Sequence, residues 1–177
     1  MIIKELDLPG IFYIIPTVFQ DKRGYFFEIF KHTNFVLKNI ELKNFVQFNE
    51  SKSTKNVLRG LHFQNKPYEQ CKLVKCTYGK IFDVIVDINK KSPNFGKWIS
   101  KELSSDTNDL IYIPEGYAHG FCVLSEFAIV NYYCTNEYNK ESENGIIWND
   151  KNIGIKWPIE NPIISDKDLK LKKLCEL

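Results

Sequence analysis

The clearest pattern along the chain lies at 80–88. There Lys-Ile-Phe-Asp-Val-Ile-Val-Asp-Ile is rich in β-branched residues and places Asp83 and Asp87 on one pleat face. Similar apolar or alternating runs predict strands at about 11–18, 25–30, 44–50, 57–63, 72–77, 97–103, 109–113, 118–124 and 127–134. Turn signals separate them, among them Asp21-Lys-Arg-Gly24, Tyr78-Gly79, Ser92-Pro-Asn94 and Pro114-Glu-Gly116. About ten short strands at this spacing predict an all-β barrel or sandwich. Two short helices are expected as well, one capped by Thr33 over 34–39 and one starting near Ser165 and running to the C-terminus. No repeat, low-complexity tract or linker interrupts the pattern, so 1–177 reads as one domain.

Strand alternation assigns faces. It puts Leu58, Gly60, His62 and Gln64 on one side of their strand and Arg59, Leu61 and Phe63 on the other. Lys72 shares a face with Val74 while Lys75 lies opposite, so at most one of these lysines points into an interior. Gln47 and Asn49 share a face. Tyr132 and Tyr133 point to opposite sides, and a one-residue slip of register would exchange them.

Composition narrows the class. The 177 residues are 44% hydrophobic and 26% charged, which excludes a disordered chain. No window reaches the ~18 consecutive apolar residues of a membrane span. Residues 1–10 lack the long apolar stretch of a secretory leader. With 24 basic and 22 acidic residues, bulk charge does not suit nucleic acid. The five cysteines form no CxxC, so neither a disulfide framework nor a zinc clip is indicated. Reduced thiols and a cytoplasmic location are expected, with Cys71, Cys76, Cys122 and Cys134 as small core residues. Aromatic residues make up 14% of the chain, enough to leave flat side chains for ligand stacking.

The three histidines, His32, His62 and His119, are the first candidates for chemistry. His32 opens the first expected helix and reads as a surface or capping residue. His62 and His119 each fit either a buried structural imidazole or a functional one. The segments that hold them shift the balance. Val57-Leu-Arg-Gly-Leu-His-Phe-Gln64, Phe82-Asp-Val-Ile-Val-Asp-Ile88 with its continuation to Trp98, and Ile113-Pro-Glu-Gly-Tyr-Ala-His-Gly-Phe121 occur in that order. So do Asp21-Lys-Arg-Gly-Tyr-Phe-Phe-Glu28, Phe45-Val-Gln-Phe-Asn-Glu50, Gly145-Ile-Ile-Trp-Asn-Asp150, Ile155-Lys-Trp-Pro158 and Ile164-Ser-Asp-Lys-Asp168. Together these segments, spread over nearly the whole chain, resemble the dTDP-4-dehydrorhamnose 3,5-epimerase family of cupin-like enzymes.

The resemblance implies a cupin-like jelly-roll barrel, a nucleotide-diphosphate 4-keto sugar as substrate, no cofactor, and a homodimer whose N-terminal segments cross between subunits. Many cupins hold a metal with an HxH pair; here that place reads His62-Phe-Gln64, one ligand short, so no metal is expected. The implied reaction inverts the carbons beside a ketone. It needs a base for a weakly acidic C–H, a donor or cation for the enolate oxygen, and an acid on the opposite face.

The family's roles fall on His62 as base, Asp168 as its carboxylate partner, Lys72 as enolate stabiliser and Tyr132 as acid. Imidazole ordinarily titrates near neutrality, which suits proton transfer. Each residue also has a bland reading. Ser165-x-x-Asp168 is a capping pattern, Lys72 and Lys75 fit solvent-facing strand lysines, and Tyr132 fits a packed strand tyrosine. Arg23, Arg59 and Lys167 are the cations for a diphosphate. Gln47 and Asn49 suit base recognition by amide hydrogen bonds. The resemblance further implies sugar or phosphate contact by His119 and acidic binding positions at Glu28 and Glu143, and Tyr138 is a lesser candidate for the acid and otherwise a substrate-stacking residue. Glu143 also fits a solvated charge, and the Arg23–Glu28 stretch is expected to serve a neighbouring subunit.

Phe48 departs from the family, which usually carries an acidic residue between the two amides. That leaves a second nucleotide open, in a GDP-linked 4-keto heptose epimerase for capsule or lipopolysaccharide. A non-catalytic sugar-binding protein is the alternative from another class. It would need no base and opposed acid. A ketoisomerase on the same scaffold would need no donors on opposite faces.

Overall fold

The computed structural model describes residues 1–36 and 43–177. Its strands, numbered in chain order, form two antiparallel sheets and a hairpin. The six-stranded sheet runs in the order β1 (Ile2–Glu5), β2 (Phe12–Ile15), β10 (Leu110–Ile113), β7 (Lys72–Tyr78), β12 (Phe127–Cys134), β5 (Gln47–Thr54). The five-stranded sheet runs β13 (Glu143–Gly145), β6 (Leu58–Gln64), β11 (Tyr117–Val123), β8 (Lys80–Asp87), β9 (Trp98–Ser104). The hairpin pairs β3 (Phe19–Asp21) with β4 (Gly24–Phe26) around the Asp21–Gly24 turn.

Alternation builds three apolar layers. Val74 and Cys76 of β7, Ile81 and Ile85 of β8, Phe121 and Val123 of β11, and Ala128 and Val130 of β12 meet between the sheets. The intervening residues face outward. Leu73, Leu110 and Tyr112 pack behind the six-stranded sheet against Phe35 of the short helix α1 (His32–Val36). Val84, Val86 and Ala118 pack behind the five-stranded sheet under Ile153 and Leu174 of the C-terminal segment. A sheet covered on both faces buries both sides of its strands, and β8 is accordingly buried along most of its length with apolar residues on either face. The expected jelly roll is thus a two-sheet sandwich. Cys71, Cys76, Cys122 and Cys134 are buried free thiols, and Cys175 is exposed.

Several details differ from expectation. The three-residue strands β3 and β13 and the four-residue β1 were not foreseen, being too short to show a period. The expected C-terminal helix is two 3-10 turns, Asp168–Lys170 and Leu174–Glu176. The backbone between them is extended at Leu171, and Lys172 bridges to Ile146, with Ile147 N–H donating to Lys172 O at 2.8 Å. Pairing with the sheet edge and seating Leu174 in the core outweigh the local helix preference. Thr33 lies inside α1, not at its cap, and 37–39 of the expected helix fall outside the described residues.

Candidate active site

β6 approaches β11 unusually closely. A Cβ on Gly60 would sit 2.6 Å from His119 O and 2.7 Å from Gly120 Cα, and one on Gly120 would sit 2.6 Å from Arg59 O. Gly60 also has a φ of +105°, open to glycine and strained for other residues. Here the register slips. His119 pairs with His62 but Phe121 pairs with Arg59, so three residue steps on β6 oppose two on β11. The extra residue is a β-bulge, and it corrects the expected faces: Arg59 and His62 point the same way, into the sandwich.

They open onto a cavity of about 440 Å³. The five-stranded sheet supplies Arg59, His62 and His119, and the six-stranded sheet supplies Gln47, Asn49, Lys72 and Tyr132. Tyr138, Glu143 and Lys167 complete the lining among the expected residues. Asp168 stands behind His62. Arg23 and Glu28 do not line it; Arg23 pairs with Asp21 in the hairpin and Glu28 with Lys31, both exposed.

His62 Nε2 lies 2.8 Å from Asp168 Oδ1, and Asp168 Oδ2 accepts Gly60 N–H at 3.1 Å. Burial pushes the Asp168 carboxyl up, but the His62 hydrogen bond and charge, the Gly60 N–H and Lys167 outweigh it and hold the group below its ordinary range. An ionised carboxylate only accepts, so an imidazole that acts as base here would donate from Nε2 and keep its lone pair on Nδ1. The capping reading of Ser165 coexists with this pair, since Asp168 N–H donates to Ser165 Oγ at 3.1 Å.

Lys72 lies on the inner face with Val74 and Cys76, its Nζ 3.4 Å from His62 O. Burial lowers its pKa from the ordinary lysine value, opposed by Cys134, Asp83 and Glu143. Neither lysine is the solvent-facing residue of the bland reading. Lys75 is 4% exposed on the outer face, donating to Asn108 Oδ1 at 3.2 Å with its ammonium over the Phe27 ring. Tyr132 pairs in register with Asn49 and Val74 and faces the cavity, and burial raises its phenol pKa against the pull of Arg59 and Lys167. Tyr133 faces outward and stacks on Phe48, ring centroids 4.4 Å apart. Phe48 therefore does not line the cavity that Gln47 and Asn49 enter.

The rim is tied together. Lys167 pairs with Glu143 Oε1, and Tyr138 O–H donates to Glu143 Oε2 at 2.9 Å. Glu143 is thus no free surface charge. Gln47 Oε1 accepts Tyr138 N–H at 2.6 Å, and its amide donates to Asn49 Oδ1 at 2.8 Å. Arg59 Nε donates to Ser53 Oγ at 2.9 Å. Gln64, at the second HxH place, donates to Tyr68 O and Glu137 O and accepts Asn139 N–H, so both ends of its amide are engaged. Sequence reasoning overlooked Ser51, although 47, 49 and 51 share a face, and it overlooked Asp83 as the partner of His119 (2.7 Å) despite marking that face of β8.

The family profile described as dTDP-4-dehydrorhamnose 3,5-epimerase matches residues 5–176. An enzyme of that name from Shigella flexneri is 48% identical over 176 residues, 99% of this chain and 97% of its own. The crystal structure of the Elizabethkingia anophelis dTDP-4-dehydrorhamnose 3,5-epimerase superposes with a TM-score of 0.94 at 42% identity, covering 99% of this chain and 97% of that one. A dTDP-6-deoxy-D-glucose-3,5-epimerase from Legionella pneumophila, solved with dTDP-4-keto-L-rhamnose, gives 0.93 at 40% identity over 98% and 92%. With the profile spanning almost every residue, the chain belongs to the dTDP-4-dehydrorhamnose 3,5-epimerase family.

Proposed function

We propose that this chain inverts carbons 3 and 5 of a dTDP-linked 4-keto-6-deoxyhexose through enolate intermediates, with His62 as base and Tyr132 as acid. The observation that carries this reading is the placement of those two side chains on different sheets, β6 and β12, with one cavity between them. Inversion needs proton removal and return on opposite faces of the ring.

Asp168 fixes the His62 tautomer, so that Nδ1 takes the proton and the carboxylate stabilises the imidazolium that forms. The electron pair left on carbon moves onto the ketone oxygen, where the Lys72 ammonium balances the new charge. Tyr132 then delivers its proton from the other side. A phenol is ordinarily protonated at neutral pH, and burial pushes its pKa further up. Arg59 and Lys167 meet the diphosphate, Gln47 and Asn49 the base, Tyr138 stacks on it, and His119 contacts the sugar.

The second half of the reading is a homodimer. Phe19, Tyr25 and Phe26 of the β3–β4 hairpin are 61%, 60% and 66% exposed, an apolar face that a second copy would cover. Arg23 and Glu28 sit in or beside it and would serve the partner's cavity. Light scattering should give a mass near twice 20.8 kDa, and a monomer at micromolar concentration would remove this half.

The direct test is conversion of dTDP-4-keto-6-deoxy-D-glucose, followed by proton NMR of the ring. The product should carry inverted configuration at both carbons, and a GDP-linked 4-keto sugar should turn over far more slowly. An unchanged dTDP-linked sugar would overturn the reading.

A further inference from the structure

Asp83 stands in the middle of β8 and is fully buried, on the inner face between the core residues Ile81 and Ile85. Its Oδ2 lies 2.7 Å from His119 Nε2, while Oδ1 has no hydrogen-bond partner among the described residues. A buried carboxylate is costly unless paired and hydrogen-bonded, and an apolar side chain of similar volume would fill the place without that penalty. Packing therefore gives no reason for an acid here.

The site beside it does. His119 is the cross-strand neighbour of His62, and both rings line the cavity. Each is backed by a carboxylate at Nε2, Asp168 from the C-terminal segment and Asp83 from β8. Asp83 also acts on Lys72 from across the sandwich, where its charge favours the ammonium. The other groups facing Lys72 are the Cys134 thiol from β12, Glu143 from β13 and the His62 carbonyl from β6.

Building on the epimerase reading, we propose that Asp83 is a positioning residue for the reaction: it holds the His119 ring with Nδ1 offered to the substrate and supplies the negative charge behind Lys72. The carboxylate accepts from Nε2–H, which leaves Nδ1 as the only ring nitrogen free for sugar or diphosphate. The unpartnered Oδ1 leaves that side of the carboxylate uncompensated by hydrogen bonds among the described residues, and its charge favours the Lys72 ammonium.

The test compares wild type with Asp83→Asn, which keeps the shape and removes the charge. The chain has three histidines, so 15N-histidine labelling resolves the rings, and His119→Gln assigns one of them. In wild type His119 should show the Nε2–H tautomer. In Asp83→Asn, kcat should fall about 10²-fold with KM changed much less, and the alkaline limb of kcat should move to lower pH as Lys72 loses its support. Combined with His119→Gln, Asp83→Asn should cost less than it does alone. An Asp83→Asn enzyme with kcat and alkaline limb both within twofold of an active wild type would overturn the proposal. Should that variant not fold, the wild-type spectrum decides, and an Nδ1–H tautomer at His119 overturns it. A wild type unable to epimerise the dTDP-linked sugar sinks the parent reading instead, and the tautomer still decides the Asp83–His119 relationship.

Discussion

Asp168 reaches His62 from a 3-10 turn 106 residues further along the chain, holding Oδ1 2.8 Å from Nε2. The pair is made by tertiary structure alone, and a charge-neutral replacement leaves its geometry while releasing the tautomer. Asp168→Asn should therefore lower kcat by about 10²–10⁴-fold with substrate binding largely kept. Steady-state kinetics checks this, and a loss under tenfold would mean that His62 works without its carboxylate.

Tyr132→Phe should separate the two halves of the reaction. On the proposed mechanism proton removal needs only His62 and Lys72, so solvent hydrogen should still wash into the sugar while net inversion falls by at least 10²-fold. Mass spectrometry of the sugar beside NMR of its configuration distinguishes the two. Full inversion in this variant would assign the acid to another group.

Lys72 should set the alkaline side of the pH profile. Burial holds its pKa below the ordinary ~10.4, so activity that needs the ammonium disappears as pH rises through that lowered value. The same desolvation disfavours the folded state while Lys72 is charged, and the penalty is relieved as pH rises through the folded pKa toward the unfolded one. Lys72→Met should then lose about 10²–10³ in rate yet melt about 2–4 °C higher at neutral pH. A variant both inactive and less stable would contradict this view of the lysine.

Gly120→Ala tests the close approach of β6 and β11. A methyl group there meets Arg59 O at 2.6 Å and the Leu61 side chain at 3.1 Å. The backbone must shift, at a cost of about 1–3 kcal/mol. Thermal unfolding should show a drop of about 2–4 °C for each kcal/mol at this chain length. KM should rise as well, because Arg59 and His119 flank the contact.

Lys167→Ala should act on binding. It removes the partner of Glu143, which also holds the Tyr138 hydroxyl, so the rim loosens while His62 and Tyr132 stay in place. KM for the nucleotide sugar should rise about tenfold with kcat within threefold. An equal loss in kcat would move Lys167 into the chemical step.

Much of this site was legible in the sequence because it rides on strand alternation. The opposite faces of Lys72 and Lys75, of Tyr132 and Tyr133, and the shared face of Gln47 and Asn49 all follow from a period of two. Alternation failed at Arg59 because one inserted residue between it and His62 resets the faces, and a bulge leaves no mark in hydrophobic pattern. It failed at the C-terminus because Lys172 pairs with Ile146, a long-range bond that local spacing does not contain. Asp83 was noticed for its face but not for its partner, since a carboxylate's partner is set by the neighbouring strand β11. Phe48 looked like a change in the binding site and is a surface ring, a distinction that its place between Gln47 and Asn49, on the opposite pleat face, already held.

The central claim is proton abstraction by His62 from carbons on either side of the ketone. Incubating wild type and His62→Ala with dTDP-4-keto-6-deoxy-D-glucose in deuterated water, and counting deuterons at carbons 3 and 5, tests it most directly. Two deuterons with wild type and none above background with His62→Ala is the expected result; labelling of either carbon at the wild-type rate in His62→Ala would contradict it.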